Sequence, residues 1–541
     1  MGPGKGKAAG LRYPRHKPIQ WGPFRGLNPV VTTASSVLIG VWLALGAFWT
    51  ETADRVLAAA HATVGPTLEW YYVVLVTFLL AVIVWLGMGR YQDVRLGQED
   101  ERPEFGFPSW IAMLFAAGTG VGLIFWSIAE PVAHFQGNPF NLASGTPEAA
   151  ATAMRLTFFH WGLHGWAVFA AVALALAYFR YRKGLPLTIR STLYPLIGRR
   201  IYGWPGDLAD TLAVFGTVFG VATTLGLGAA QMNTGLDRLT GFGVSLDHQL
   251  VIIAVVTGLA TLSVVSGVRR GVRLLSIGNL WLSLALLGFF LVYGPTTYLF
   301  RFLAQNTGSY LQHLVEMSFW TNATGDSGWQ QEWTVFYWGW WLAWSPFVGM
   351  FIARISRGRT LREFVFGVLL VPTLFSFVWI GLFGGTALHS ELYGPGGITA
   401  AVNVDVTLAL YQTIDGMRGA SLTNVAAAIA TLLIATYFIT SADSGTLVIN
   451  TILAEGDSDP PTAPRVIWGL GVGVLTGVLL TGGGVPTLQS AVVMAGLPFS
   501  VVVLVMVLGL IAALQTEESG PRPARKARLS REPWTGRDRL D

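Results

Sequence analysis

The chain has 541 residues, 52% of them hydrophobic and only 12% charged, with a net charge of +5. A soluble domain is about one quarter charged, and the mean hydropathy here is +0.53. This excludes a soluble enzyme and leaves an integral membrane protein. No cysteine is present, which removes disulfides, iron–sulfur clusters and thiolate zinc sites.

Residues 1–29 are basic and rich in glycine and proline, with no apolar core, and read as a cytoplasmic tail rather than a cleavable signal. Twelve apolar stretches follow, each close to or longer than the ~20 residues that a membrane-crossing helix needs. They are predicted at 30–50, 69–88, 109–132, 155–179, 207–236, 249–266, 272–303, 332–354, 361–389, 420–448, 463–481 and 486–514. The transporter-like domain thus covers 30–514, and 515–541 forms a second tail. Lys and Arg alternate across the loops. The N-terminal tail holds Lys5, Lys7, Arg12, Arg15, Lys17 and Arg25, and the loop after span 4 holds Arg180, Arg182, Lys183, Arg190, Arg199 and Arg200. The loops after spans 6 and 8 hold Arg269, Arg270 and Arg273, and Arg354, Arg357, Arg359 and Arg362. Residues 133–154 and 304–331 form a different class. Neither contains Lys or Arg, and the second, with Leu311, Leu314, Val315 and Phe319, reads as an amphipathic surface helix on the outer side. The charge bias puts both termini in the cytoplasm of a multi-pass inner-membrane protein. The tail after Thr516 carries Arg522, Arg525, Lys526, Arg528 and Arg531, which could meet anionic lipid headgroups. No nucleic-acid partner is expected.

Span 3 contains Gly118, Gly120 and Gly122 at alternate positions, a poor helix interior. Broken membrane helices are tolerated where protein or water surrounds the freed backbone, and transporters place them at substrate sites. Span 8 has Pro346 and Gly349 in a comparable place, five spans later. This offset predicts two five-helix repeats, spans 3–7 and 8–12, preceded by two extra N-terminal helices. An odd number of spans per repeat inverts their topology.

Tryptophan is dense, at 21 residues. Trp161, Trp166 and Phe169 fan over less than half of one helix at about 100° per residue. Trp338, Trp340, Trp341 and Trp344 crowd span 8. Interface anchoring accounts for Trp42, Trp49 and Trp70, but this clustering exceeds what anchoring needs. Aromatic faces are a site for a cation that cannot donate hydrogen bonds, a quaternary ammonium above all.

Five stretches carry a resemblance to the betaine/choline/carnitine transporter family: 118–135 (GTGVGLIFWSIAEPVAHF), 160–198, 220–231 (GVATTLGLGAAQ), 336–364 (FYWGWWLAWSPFVGMFIARISRGRTLREF) and 438–445 (FITSADSG). The resemblance implies an all-α, twelve-helix homotrimer that imports glycine betaine or a related quaternary ammonium osmolyte, often with sodium, by alternating access. By position, Trp161, Trp166 and Phe169 match one wall of the family's aromatic box, Phe169 standing where many members have Tyr. Trp338, Trp340 and Trp341 match the opposite side, and Trp344 and Phe351 match the cytoplasmic path. One sodium site carries over to Ala116, Thr119, Tyr437, Thr440 and Ser441. Thr119 stands where members often have Met. A second site matches at Thr217 and Phe347, but Val221 replaces an expected hydroxyl. Gly122 is kept where some proton-coupled choline members carry Asp. The alternatives are a sodium-independent or proton-coupled choline or carnitine transporter or exchanger. Exchange is disfavoured because 207–236 contains no Lys or Arg. An integral-membrane enzyme lacks a clustered set of acid, base or metal ligands, so no catalytic residue and no cofactor besides the coupling ion are expected.

His160 and His164, one turn apart, could bind a metal, but no third ligand with suitable spacing is visible. Glu130 and Asp443 are intramembrane carboxylates, read as holding helix ends through backbone amides. Arg354, Arg357 and Arg359 are read as pairing with a cytoplasmic gate or tail.

Overall fold

The structure is a computed structural model that describes residues 16–519 except 119, 267–268, 326–327 and 418–419. Thr119 and most of both basic tails lie outside the described residues. The protein is an all-α membrane protein. Among the described residues, β pairing is limited to an isolated bridge between Arg95 and Thr360.

The helices run α1 Pro29–Phe48, α2 Thr50–Met88, α3 Phe107–Gly118, α4 Val121–Gln136, α5 Pro147–Trp161, α6 Leu163–Ala177, α7 Tyr194–Ile197, α8 Trp204–Thr240 and α9 Leu246–Ser266. They continue with α10 Arg269–Tyr293, α11 Thr296–Gln312, α12 Leu314–Phe319, α13 Phe336–Ile355, α14 Leu361–Tyr393, α15 Ile398–Val404, α16 Leu408–Asp415, α17 Ala420–Leu453, α18 Thr462–Gly483 and α19 Val485–Ser519. Ten helical segments among the described residues are long and apolar enough to cross a membrane. The other two expected spans are special. The span at 109–132 is split between α3 and α4, of 12 and 16 residues, each too short for a hydrocarbon core of ~30 Å at 1.5 Å per residue. The span at 332–354 is α13, whose Trp, Tyr and Gly content lowers its hydropathy.

The expected break in span 3 falls between α3 and α4, with Gly120 in extended conformation (φ −178°, ψ 176°). The expected interruption in span 8 does not. Pro346 lies inside a continuous α13. Proline removes the N–H that would serve the Leu342 carbonyl, and the Ser345 hydroxyl donates to that carbonyl instead, at 2.8 Å. The irregular turn of this span is a π-helical turn earlier, at Gln330–Val335.

Span 4 is broken where continuity was expected. α5 stops at Trp161 and α6 starts at Leu163, with Gly162 at φ −93°, ψ −143°. A Cβ at Gly162 would lie 2.5 Å from the Phe158 carbonyl and 2.9 Å from the Tyr310 hydroxyl, so glycine permits this close approach. The freed Leu163 amide donates to Tyr310 Oη at 3.2 Å. The expected span at 272–303 is also two helices, divided at Gly294-Pro295. α11 is amphipathic as predicted for this region, burying Leu299, Phe302, Asn306 and Tyr310, but it begins eight residues before 304 and ends at Gln312.

α6 and α8 lie in the interior, and α13 packs against both and against α19. α1, α9 and α10 lie outside and expose Val41, Val255 and Trp281, among others. The basic loops are tied down. Arg357 pairs with Glu101 at 2.5 Å, Arg354 donates to Thr451 at 3.0 Å, and Arg359 stacks over Trp110 at 4.6 Å. These partners lie in the 93–110 region and on α17, not in a tail. α19 runs past 514, and its Glu517 binds Arg182 and Lys183.

Candidate functional site

The break in span 3 opens onto a cavity. Gly120, Gly122 and Leu123 line one side, from the start of α4. Trp161, Gly165, Trp166 and Phe169 line a second, and Trp340, Trp341 and Trp344 a third. His160 and Thr224 complete the wall.

The rings meet mostly edge to face, so that different faces turn inward. Trp161 and Trp341 have centroids 5.0 Å apart at 76°, and Phe169 meets Trp341 at 5.7 Å and 71°. Trp166 meets Phe169 at 5.4 Å and 70°. Trp340 instead stacks flat on Trp341, at 5.0 Å and 12°. The break at Gly162 serves this arrangement. The His160 carbonyl has lost its regular helical partner, and the Trp341 indole N–H donates to it at 3.0 Å. Trp161 and Trp166 therefore converge from two helical segments rather than fanning over one.

The opposite pole is polar backbone. α4 begins with no side-chain cap, and the first amides of a helix lack intrahelical acceptors. A helix N-terminus carries partial positive charge and suits a carboxylate. Among the described residues, the buried indole N–H groups of Trp340 and Trp344 have no partner. The cavity thus offers π faces to a cation and donors to an anion.

The structure separates other predicted residues from this cavity. Trp338 is buried behind the wall, stacked on His164 at 5.9 Å and 18°. Phe351 is 36% exposed and does not line the cavity. Gly118 is the last residue of α3. Among the ion-site residues, Thr440 donates to the Thr436 and Tyr437 carbonyls at 3.1 Å each, and the Tyr437 hydroxyl meets Ser283 at 2.9 Å. Thr217 donates to the Ala213 carbonyl at 2.7 Å. These bonds use hydroxyl protons and leave oxygen lone pairs. Ala116 sits two residues before the end of α3, Ser441 follows Thr440 on α17, and Phe347 meets Trp344 edge-on at 5.2 Å. Val221 packs where a Cβ on Gly445 would meet it at 2.8 Å.

Sequence reasoning misplaced Glu130 and the histidines. Glu130 bonds side chains, not helix-end amides: His160 at 2.6 Å, Trp161 at 2.8 Å, Tyr337 at 2.5 Å and His134 at 3.3 Å. His164 turns away to Ser318 at 2.9 Å. The cluster that could hold a metal is Glu130, His134 and His160, whose ligand atoms lie within 4.8 Å of one another. The spacing of Glu130 and His134, one helical turn apart, was a readable signal. Their meeting with His160 was not. Asp443 pairs with Arg465 at 3.3 Å.

Residues 30–519 match the model of the betaine/carnitine/choline family of transporters. The chain is 42% identical to the glycine betaine transporter of Acinetobacter baylyi over 511 residues, covering 94% of this chain and 76% of that one. It is 41% identical to the glycine betaine transporter OpuD of Bacillus subtilis, covering 93% and 96%. It is 40% identical to a glycine betaine/proline/choline/ectoine transporter of Vibrio parahaemolyticus, covering 93% and 90%.

Proposed function

This chain belongs to the betaine/carnitine/choline transporter family, and we propose that it imports glycine betaine or a closely related quaternary ammonium zwitterion together with sodium, by alternating access across the cytoplasmic membrane. The observation that carries this reading is one cavity with aromatic faces on one side and an uncapped helix N-terminus on the other. A trimethylammonium group cannot donate a hydrogen bond, so its recognition rests on ring quadrupoles, each worth ~0.5–2 kcal/mol. Trp161, Trp166, Phe169, Trp340 and Trp341 take that group. The start of α4, with Gly120 and Gly122, takes the carboxylate, and Trp344 closes the far side. Trp338 supports the wall from behind. The names of the relatives, with glycine betaine common to those cited, agree with this substrate.

Sodium is assigned to the Thr440–Ser441 region with Tyr437, Ala116 and Thr119. Hydroxyl and carbonyl oxygens are suitable ligands for a hard cation, and α17, which bears the hydroxyls, packs against α4. A second ion at Thr217 and Phe347 is weakened by Val221. Both termini face the cytoplasm, the basic C-terminal tail meets anionic lipid, and three copies assemble as a trimer.

Uptake of labelled glycine betaine into proteoliposomes tests the reading. It should require an inward sodium gradient, and uptake indifferent to sodium would refute the coupling. Trp341→Leu should abolish the tryptophan-fluorescence response to betaine, because it removes the ring that touches Trp161, Phe169 and Trp340.

A further inference from the structure

Glu130 is fully buried on α4, and its two oxygens accept four hydrogen bonds. Oε1 accepts from His160 Nδ1 at 2.6 Å and His134 Nε2 at 3.3 Å. Oε2 accepts from the Trp161 indole at 2.8 Å and the Tyr337 hydroxyl at 2.5 Å. The donor directions are constrained. The Trp329 indole can only donate, and it does so to His134 Nδ1 at 3.2 Å. A neutral His134 therefore carries its proton on Nε2, facing Glu130. A carboxylate only accepts, so a neutral His160 carries its proton on Nδ1, facing Glu130, and its Nε2 accepts from the Thr334 hydroxyl at 3.0 Å. A carboxylate with all four acceptor positions filled by donors is a hydrogen-bonded hub.

Three of the four donors belong to the cavity wall or its backing: His160 and Trp161 line it, and Tyr337 stands behind it. Tyr337 packs on Trp161 at 5.6 Å and on Trp341 at 5.7 Å. An indole has a single N–H, so fixing that bond fixes the plane of the ring. An N–H that donates to a carboxylate is also polarised, which enriches the ring in electron density. A buried negative charge behind the wall adds attraction for a positive ligand, in surroundings where water screens it weakly. Both effects favour a cation and do nothing for a neutral group of the same shape.

We propose that Glu130 is a positioning residue that sets substrate specificity: through its bond to Trp161 it aims and enriches the aromatic wall, so that the cavity selects a cationic headgroup over a neutral isostere. This rests on the cavity being the betaine site. The test titrates purified full-length transporter, by tryptophan fluorescence, with glycine betaine and with 3,3-dimethylbutyrate, in which carbon replaces the charged nitrogen. Glu130→Gln should weaken betaine binding about tenfold, the scale of one desolvated cation–π contact, and leave dimethylbutyrate within about twofold, well below that scale. In a Trp161→Phe background the Glu130→Gln loss should largely vanish, because the two act as one unit. Tyr337→Phe keeps the carboxylate and removes one donor. It should lower betaine affinity selectively but less, and it replaces Glu130→Gln if that variant does not fold. Parallel loss of both ligands, or a betaine loss undiminished without Trp161, overturns the proposal. A wild-type protein indifferent to betaine overturns the cavity assignment instead.

Discussion

Gly122→Ala adds one methyl group to the floor of the cavity. Its Cβ would lie 2.6 Å from Trp340 Cη2 and 3.2 Å from Cζ2. Carbon contacts are comfortable at ~3.5–4.0 Å, so the ring has to retreat by about 1 Å. It has little room, because Trp340 stacks with Phe336 at 5.4 Å and with Trp341 at 5.0 Å. Overpacking of this kind costs about 1–3 kcal/mol. The helix propensity gained by replacing glycine offsets under ~1 kcal/mol of it, since position 122 is in the first turn. A net stability loss of about 1–2 kcal/mol follows. The displaced ring also surrenders part of a cation–π contact worth ~0.5–2 kcal/mol, or about 2- to 30-fold in betaine affinity. Thermal unfolding and a fluorescence titration on the same preparation measure both quantities. Gly137→Ala, at the other end of α4, meets nothing within 4 Å and serves as the neutral control. A Gly122→Ala protein with wild-type betaine affinity would show that Trp340 does not form part of the binding wall.

Ser345→Ala should destabilise the protein by about 1–3 kcal/mol, because it strands the Leu342 carbonyl that Pro346 cannot serve; thermal unfolding measures it, and no change would mean that α13 re-satisfies this carbonyl. Arg190 bonds Asp210 at 2.5 Å and Asp207 at 2.9 Å, with Asp210 fully buried. Arg190→Ala should cost about 3–5 kcal/mol, and adding Asp210→Asn should recover part of it. Thr440→Ala should raise the sodium concentration for half-maximal uptake about tenfold, the equivalent of one lost ion ligand at ~1.4 kcal/mol. Betaine binding at saturating sodium should stay near wild type, and an unchanged sodium curve would remove Thr440 from the ion site.

Hydropathy predicts the lipid-facing helices well because their exposure to lipid and their apolarity have the same cause. By length and apolarity it also finds the interior α6 and α8, and it passes over α3 and α4, which are short, and α13, whose Trp, Tyr and Gly lower it. The Gly118–Gly122 break is readable because glycine is poor in helices wherever it occurs. The Gly162 break is not, because a single glycine is tolerated in a membrane helix and this one matters through Tyr310 and Phe377, which approach from other helices. Pro346 shows the converse. Proline announces a break, and the preceding Ser345 repairs it. The Trp clusters were legible as clusters, but the sequence could not say that Trp338 faces His164 while Trp340 and Trp341 face the cavity. Trp338 and Trp341 are one turn apart, and the difference is set by which neighbour each ring meets.

The chemistry of the ligand explains why so much of the wall is held from behind. A quaternary ammonium makes no directional bond, so it cannot draw a ring into place when it arrives. Each face has to be oriented before binding, by bonds that the ligand does not share. Trp341 is oriented by the His160 carbonyl, which the Gly162 break leaves free. Trp161 is oriented by Glu130, which its own four hydrogen bonds hold in turn. Trp340 is held by stacking alone, with Phe336 and Trp341. Its response to Gly122→Ala should accordingly exceed that of Trp161, whose hydrogen bond resists displacement. Cross-quenching of betaine-protected fluorescence in Trp340→Phe and Trp161→Phe backgrounds separates the two. If Gly122→Ala weakens betaine equally in both, the wall moves as one block, and pinning ring by ring is the wrong description.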